Sequence, residues 1–121
     1  MPPCMRIMSW RGDLDSLSFI RDNRTLIEIR QTDIFAAWFA GLRDHQARAR
    51  ITARIRRLSL GNPGDVKPVG SGVSEMRIDY GPGYRVYFTR RGDIIVVLLC
   101  GGDKRTQDRD IARALSLVRG I

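Results

Sequence analysis

The chain has 121 residues, 43% hydrophobic and 28% charged, which fits one globular domain around a single core. Lysine and arginine number 21 against 13 acidic residues, a net charge of +8 that points toward nucleic acid, an anionic surface or an acidic protein partner. Arginine far outnumbers lysine, and no apolar run reaches the ~18 residues of a membrane span, so no membrane span is expected.

Residues 1–24 mix charges with scattered apolar side chains and hold no sustained period. They read as an N-terminal extension, either part of the domain or the product of an upstream start codon, with a surface tail or a short helix from Asp13 to Ile20 as the plain expectation. No clean secretory leader is visible, so a cytoplasmic protein is the default. Residues 25–121 carry the domain. Leu26 to Arg30 alternates at Ile27 and Ile29, as a strand does. Thr32 or Asp33 can cap a following helix in which Ile34, Phe35, Trp38, Phe39 and Leu42 keep helical spacing. Asp44 can cap a second helix with an apolar stripe of Ala47, Ile51, Ile55 and Leu58, its arginines on the other faces. The stretch Gly61 to Asp65 then breaks helix.

Strands follow. Val66 to Val69 contains a proline and suits an edge. Val73 to Tyr80 alternates, as does Tyr84 to Thr89 after the Gly81-Pro82-Gly83 turn. Ile94 to Cys100 is continuously apolar, as a central strand would be, and Cys100 suits a buried free thiol. Gly101 to Arg105 reads as a loop. A last helix runs from Thr106 to Val118 with Ile111, Ala114, Leu115 and Val118 on one stripe. The expected fold is α+β: a small antiparallel sheet with an N-terminal helical hairpin and a C-terminal helix packed on one face. The other face would then show Glu75, Arg77, Asp79, Arg85 and Tyr87. Arg85 is an unusual strand residue, since strand interiors favour Val, Ile and Thr. By pattern alone, Arg77 and Arg85 form an exposed ladder with Glu75 and Asp79. One histidine and two separated cysteines make no metal ligand set, and no cofactor is expected.

Three segments carry a resemblance: FAAWFAGLRD (35–44), ITARIRRLSLGNPGDVKPVGSGVSEMRIDYGPGYRVYF (51–88) and LLCGGDKRTQDRDI (98–111). From about Leu26 onward the chain resembles the RelE/ParE-superfamily toxins of type II toxin–antitoxin systems, in particular their HigB-like addiction module killer branch. The resemblance implies a ribosome-dependent mRNA endonuclease, an mRNA interferase acting in the A site. It implies that Arg85 takes the place of the GYR arginine of RelE, Arg77 that of a basic residue one strand earlier, and Lys104 or Arg105 that of a basic residue after the last strand. RelE-type enzymes also use a tyrosine on the final helix. The corresponding stretch here, TQDRDIARA, holds none, which leaves Tyr87, Gln107 or Asp110 as polar groups at hand. The catalytic candidates are therefore Arg85, Arg77, Lys104 and Tyr87.

Arg54 and Arg57 on the second helix, Lys67 and Arg105 read either as solvated charges or as contacts to rRNA phosphates. His45 reads as a surface residue of the second helix, away from the strand cluster. The implied partners are a helix-turn-helix antitoxin, in a toxin–antitoxin hetero-oligomer, and the ribosome with its mRNA. ParE-like relatives share the fold, lack the nuclease set and poison DNA gyrase. That activity, or a non-catalytic nucleic-acid-binding or decayed toxin, is the alternative expectation.

Overall fold

The computed structural model describes the backbone of residues 5–7 and residues 27–121 in full. The expected helix from Asp13 to Ile20 lies outside the described residues. The elements in order are β1 (Met5–Ile7), β2 (Glu28–Thr32), α1 (Asp33–Ala40), α2 (His45–Ser59), β3 (Val66–Gly70), β4 (Val73–Ile78), β5 (Tyr84–Arg91), β6 (Ile95–Asp103), a 3-10 turn (Lys104–Thr106) and α3 (Gln107–Arg119). The strands form one sheet in the order β1-β2-β6-β5-β4-β3. All neighbouring pairs are antiparallel except β2 with β6. The α+β class and the mostly antiparallel sheet are as expected. So are the edge position of β3 and the central position of β6. The short strand β1 was not anticipated. No helix among the described residues is long and apolar enough to cross a membrane.

Local chemistry explains the helices. The Thr32 hydroxyl accepts from Phe35 N at 3.1 Å and starts α1. Asp44 Oδ1 accepts from Gln46 N at 2.9 Å and Ala47 N at 3.2 Å and starts α2. In α2 the stripe of Ala47, Ile51, Ile55 and Leu58 is buried as its spacing requires. Each fully buried isoleucine contributes roughly 2 kcal/mol through lost apolar surface.

The sheet has two covered faces, and here the expected packing is refined. The α1–α2 hairpin lies on one face, with Phe35, Ile51, Ile55 and Leu58 against Ile29, Met76, Ile78, Val86, Phe88, Val96 and Leu98. The C-terminal helix α3 lies on the other, where Ala114, Ile111 and Leu115 meet Val73, Tyr87, Val97, Leu99 and Cys100. The reason is compositional. Val73, Val97 and Leu99 sit in the phase opposite to the hairpin core, and α3 is what buries them.

One irregularity sets the phase at the end of β6. Tyr87 pairs with Cys100 and Phe88 with Leu98, so Leu99 is an extra residue in the strand. Leu99 and Cys100 consequently point to the same, α3 side. The Leu99 carbonyl accepts from the Thr32 hydroxyl at 2.7 Å, the same hydroxyl that caps α1. Beyond the bulge, Gly101 and Gly102 remain in the ladder, opposite Val86 and Arg85, where a loop was expected. A Cβ on Gly101 would lie 2.3 Å from Trp38, and one on Gly102 would lie 1.8 Å from Asp110 Oδ2. The two glycines thus admit α1 on one face and the start of α3 on the other.

Thr32→Val keeps the side-chain shape and removes the hydroxyl. It should cost about 2 kcal/mol in denaturant unfolding, because a helix cap and the donor to a buried carbonyl go together. Thr32→Ser should recover most of that loss.

Candidate functional site

Register puts the two strand arginines side by side. Arg77 of β4 pairs with Arg85 of β5, and Gly102 of β6 lies on the far side of Arg85. Residues directly opposite share a face, with Cβ atoms about 5 Å apart, and like charges there repel. The counter-charge is Glu75, two residues before Arg77 on the same strand. It was expected on an exposed ladder, yet it is fully buried, at 0% exposure. Its Oε1 accepts from Arg77 Nε at 3.3 Å. Its Oε2 accepts from Tyr87 Oη at 2.9 Å and from Gln107 Nε2 at 2.8 Å. One carboxylate therefore joins β4, β5 and the first residue of α3.

The electrostatics follow from these contacts. Burial pushes the Glu75 carboxyl up. The hydrogen bonds from Gln107, Tyr87 and Arg77 and the charge of Arg85 outweigh it, so the net shift is downward and Glu75 stays ionised. The Tyr87 hydroxyl is pushed well above its ordinary value, first by burial and then by its bond to Glu75. Tyr87 joins the cluster but is fully buried and keeps its proton.

Arg85 differs from its neighbour. Its Nε is buried without a hydrogen-bond partner. Arg77 has a carboxylate on its Nε, whereas no hydrogen bond or ion pair holds Arg85 among the described residues. A guanidinium donor removed from water and left without an acceptor is costly unless a ligand supplies one.

The remaining candidates divide by face. Lys67 of β3 pairs with Glu75 across the strands and is exposed at the edge of the same face. Lys104 and Arg105 are exposed in the 3-10 turn capped by Asp103, and Arg105 Nη2 lies 3.1 Å from Asp103 Oδ2. The turn borders a shallow cavity of about 320 Å³ lined by Lys104, Arg105, Thr106, Gln107, Asp108 and Arg109. Gln107 thus belongs both to this cavity and to the Glu75 network. Asp110 is buried and accepts from the Thr106 hydroxyl, under the start of α3. Burial, then the neighbouring Asp110, pushes the Cys100 thiol up to about 12, so it is inert.

Arg54 and Arg57 belong to α2, on the opposite face. Arg54 donates to the backbone carbonyls of Arg77, Pro63 and Asp65, so its guanidinium staples the Gly61–Asp65 loop and the end of β4 to the hairpin. Arg57 and His45 are exposed on the same helix. The structure therefore brings Arg77, Arg85, Tyr87 and Lys67 onto one face with Lys104 and Arg105 at its margin, and sets Arg54 and Arg57 apart. Glu75 and Gly102 are the members that pattern reading did not single out. The available signal was a carboxylate in the same strand phase as a tyrosine and two arginines.

Comparison with known proteins covers this region. A family model described as "Phage derived protein Gp49-like (DUF891)" matches residues 37–118, a span that includes the whole arginine cluster. A protein of Haemophilus influenzae (strain ATCC 51907 / DSM 11121 / KW20 / Rd), described only as uncharacterized, is 50% identical over 95 residues, which cover 78% of this chain and 96% of the relative. No solved structure matches the chain.

The lowered Glu75 pKa fixes the sign of a pH effect. The unfolded chain takes up the proton first as pH falls, so the contribution of Glu75 is complete above the ordinary value of 4.5 and is lost as pH drops through the lower native value. Stability measured by urea unfolding between about pH 7 and pH 3 should fall less steeply in Glu75→Gln than in the wild type. At neutral pH the variant should be less stable by about 3 kcal/mol, since two basic groups lose their buried counter-charge.

Proposed function

This chain belongs to the phage-derived Gp49-like family, part of the RelE/HigB toxin-like superfamily, and from that premise we propose that it is the toxin of a type II toxin–antitoxin pair that cleaves mRNA on the ribosome. The observation that carries this reading is the unpartnered guanidinium of Arg85 beside Arg77 on the α3 face. With Glu75 ionised, the two arginines present one net positive charge. An internal RNA phosphodiester carries one negative charge.

In the proposed reaction the ribose 2′-oxygen attacks the adjacent phosphorus and loses its proton to water. The bond from phosphorus to the 5′-oxygen breaks, leaving a 2′,3′-cyclic phosphate and a 5′-hydroxyl. Attack adds negative charge to the non-bridging oxygens. Arg77 and Arg85, held on adjacent strands, stabilise that charge, and one such fixed donor is worth roughly 10²–10³ in rate. The Lys104 ammonium, exposed next to the cluster, protonates the departing 5′-oxygen. Substrate alignment comes from the ribosome, which relieves a small domain of building a deep pocket. Lys67, Arg105 and Arg57 contact rRNA phosphates, a sequence-independent and salt-sensitive attraction. The cognate antitoxin, a helix-turn-helix protein in this proposal, supplies acidic groups to the same basic face.

A second reading is favoured by a specific observation. The start of α3 carries no tyrosine, and the one tyrosine in the cluster, Tyr87, is sealed behind Glu75. A ParE-like gyrase inhibitor needs no such group. It would use the arginine face to grip a protein, with no chemistry.

Induced expression separates the two. The wild type should arrest growth and produce new mRNA 5′ ends at codon positions within translated frames, seen by primer extension. Arg85→Ala should lower cleavage by about 10²-fold or more and relieve arrest, with Arg85→Lys recovering only part, because a lysine lacks the planar fork. Intact mRNA with inhibited DNA supercoiling would assign the second reading instead.

A further inference from the structure

The carboxylate of Glu75 is an odd neighbour for a phosphate. It repels the ligand that the arginines attract, and burying it costs desolvation energy. Replacing buried ionic groups by apolar ones is often neutral or stabilising, so charge balance alone does not explain it. Yet both its oxygens are used by donors from three directions. Oε1 takes Arg77, and Oε2 takes Tyr87 and Gln107. Tyr87 and Glu75 are both at 0% exposure, so the carboxylate and its tyrosine partner are sealed from water. From the hairpin side, Arg54 holds the Arg77 carbonyl.

We propose that Glu75 is a positioning residue for phosphodiester binding, an assignment that rests on the RNA-binding reading above. It clamps Arg77 through Nε, so that the outer edge of that guanidinium has one direction. It attracts Arg85 by charge without consuming its hydrogen bonds. Arg85 therefore keeps its donors for the ligand, with Gly102 as its neighbour across the β5–β6 ladder. Gln107 extends the same frame to the Lys104–Arg109 cavity, so the start of α3 is tied to the carboxylate that holds Arg77. One arginine is anchored and the other is open. That asymmetry suits a ligand that is a single internal phosphate link of a nucleic acid strand.

The sign of the charge effect makes the test decisive. The probe is a fluorescent, uncleavable 2′-O-methyl RNA of about eight nucleotides, within the usual site size for single strands. Binding to the full chain is measured by anisotropy. A carboxylate that is a bystander would, when neutralised, strengthen RNA binding by raising the positive charge. A positioning carboxylate predicts the reverse. Glu75→Gln should bind about 10-fold more weakly despite its extra net charge. Gln107→Ala and Tyr87→Phe leave every charge in place and remove one bond each to Glu75. They should bind about 3-fold more weakly, and they carry the test if Glu75→Gln does not fold. Folded variants that bind as tightly as the wild type, or more tightly, overturn the assignment. So does a wild type that binds no better than Arg85→Ala. A wild type that binds the probe but leaves mRNA intact on ribosomes removes the nuclease reading alone, with the role of Glu75 decided by the variants.

Discussion

The extra residue in β6 sets the phase of the whole end of the sheet. A strand alternates with period two, so one inserted residue moves every later side chain to the other face. Without Leu99 as the extra residue, Cys100 would face the hairpin, Gly102 would lose its place under Asp110, and Gly101 would leave Trp38 without room. The bulge leaves a carbonyl outside the regular ladder, and the Thr32 hydroxyl satisfies it while capping α1. One hydroxyl thus ties the parallel β2–β6 pair, the first helix and the strand that flanks Arg85. The geometry at the arginine pair depends on it at one remove, because Gly102 is the neighbour across from Arg85.

On this frame the electrostatics of the arginine pair are arranged around the buried carboxylate of Glu75. Two arginines opposite one another would repel, and a sheet could avoid this by placing Val or Thr there. The chain instead keeps both charges beside a fully buried glutamate, which holds Arg77 and is itself held by a tyrosine hydroxyl and a glutamine amide. Apolar packing by α3 covers the inner half of the same face, from Val73 to Ala114, and stops short of Arg77 and Arg85. The outcome is a half-buried basic patch whose dielectric surroundings strengthen any contact to an anion.

Much of this was legible in the residues. Apolar periodicity located α1, α2 and α3, because each stripe obeys helical spacing and each has a capping or breaking residue nearby. Alternation placed Arg77 and Arg85 on one face. Other features rest on long-range geometry that a local pattern does not encode. Glu75 and Asp79 occupy the same phase of the same stretch, yet Glu75 is buried and Asp79 exposed, since only Glu75 lies under the first turn of α3. Gly101 and Gly102 resemble a loop in sequence and stand in a strand in space, because helices from both faces need the room. Arg54 looks like one more solvated helix arginine, and only the folded loop from Gly61 to Asp65 shows it bonded to three carbonyls. The expectation that all helices share one face failed for a related reason. Two strand phases were both apolar, and one set of helices covers one phase.

A basic patch of this kind is strong in charge and weak in shape. The described cavities beside it and along α2 are shallow, and neither contains the arginine pair. A shape-selective pocket for a small ligand normally encloses most of it and is mainly apolar. Here the fixed elements are two guanidinium groups, a carboxylate that orders them and a cationic turn at the margin. Under the proposed function such a set would contact a phosphate link and be blind to the base attached to it. Any selectivity for one position along a strand must then come from whatever presents the strand. In the proposed function the ribosome holds the strand in a defined conformation and supplies that selectivity, and the chain contributes only an ordered arrangement of charge. The bonds that tie Arg77 and Gln107 to Glu75 and the open donors of Arg85 are the two halves of that arrangement.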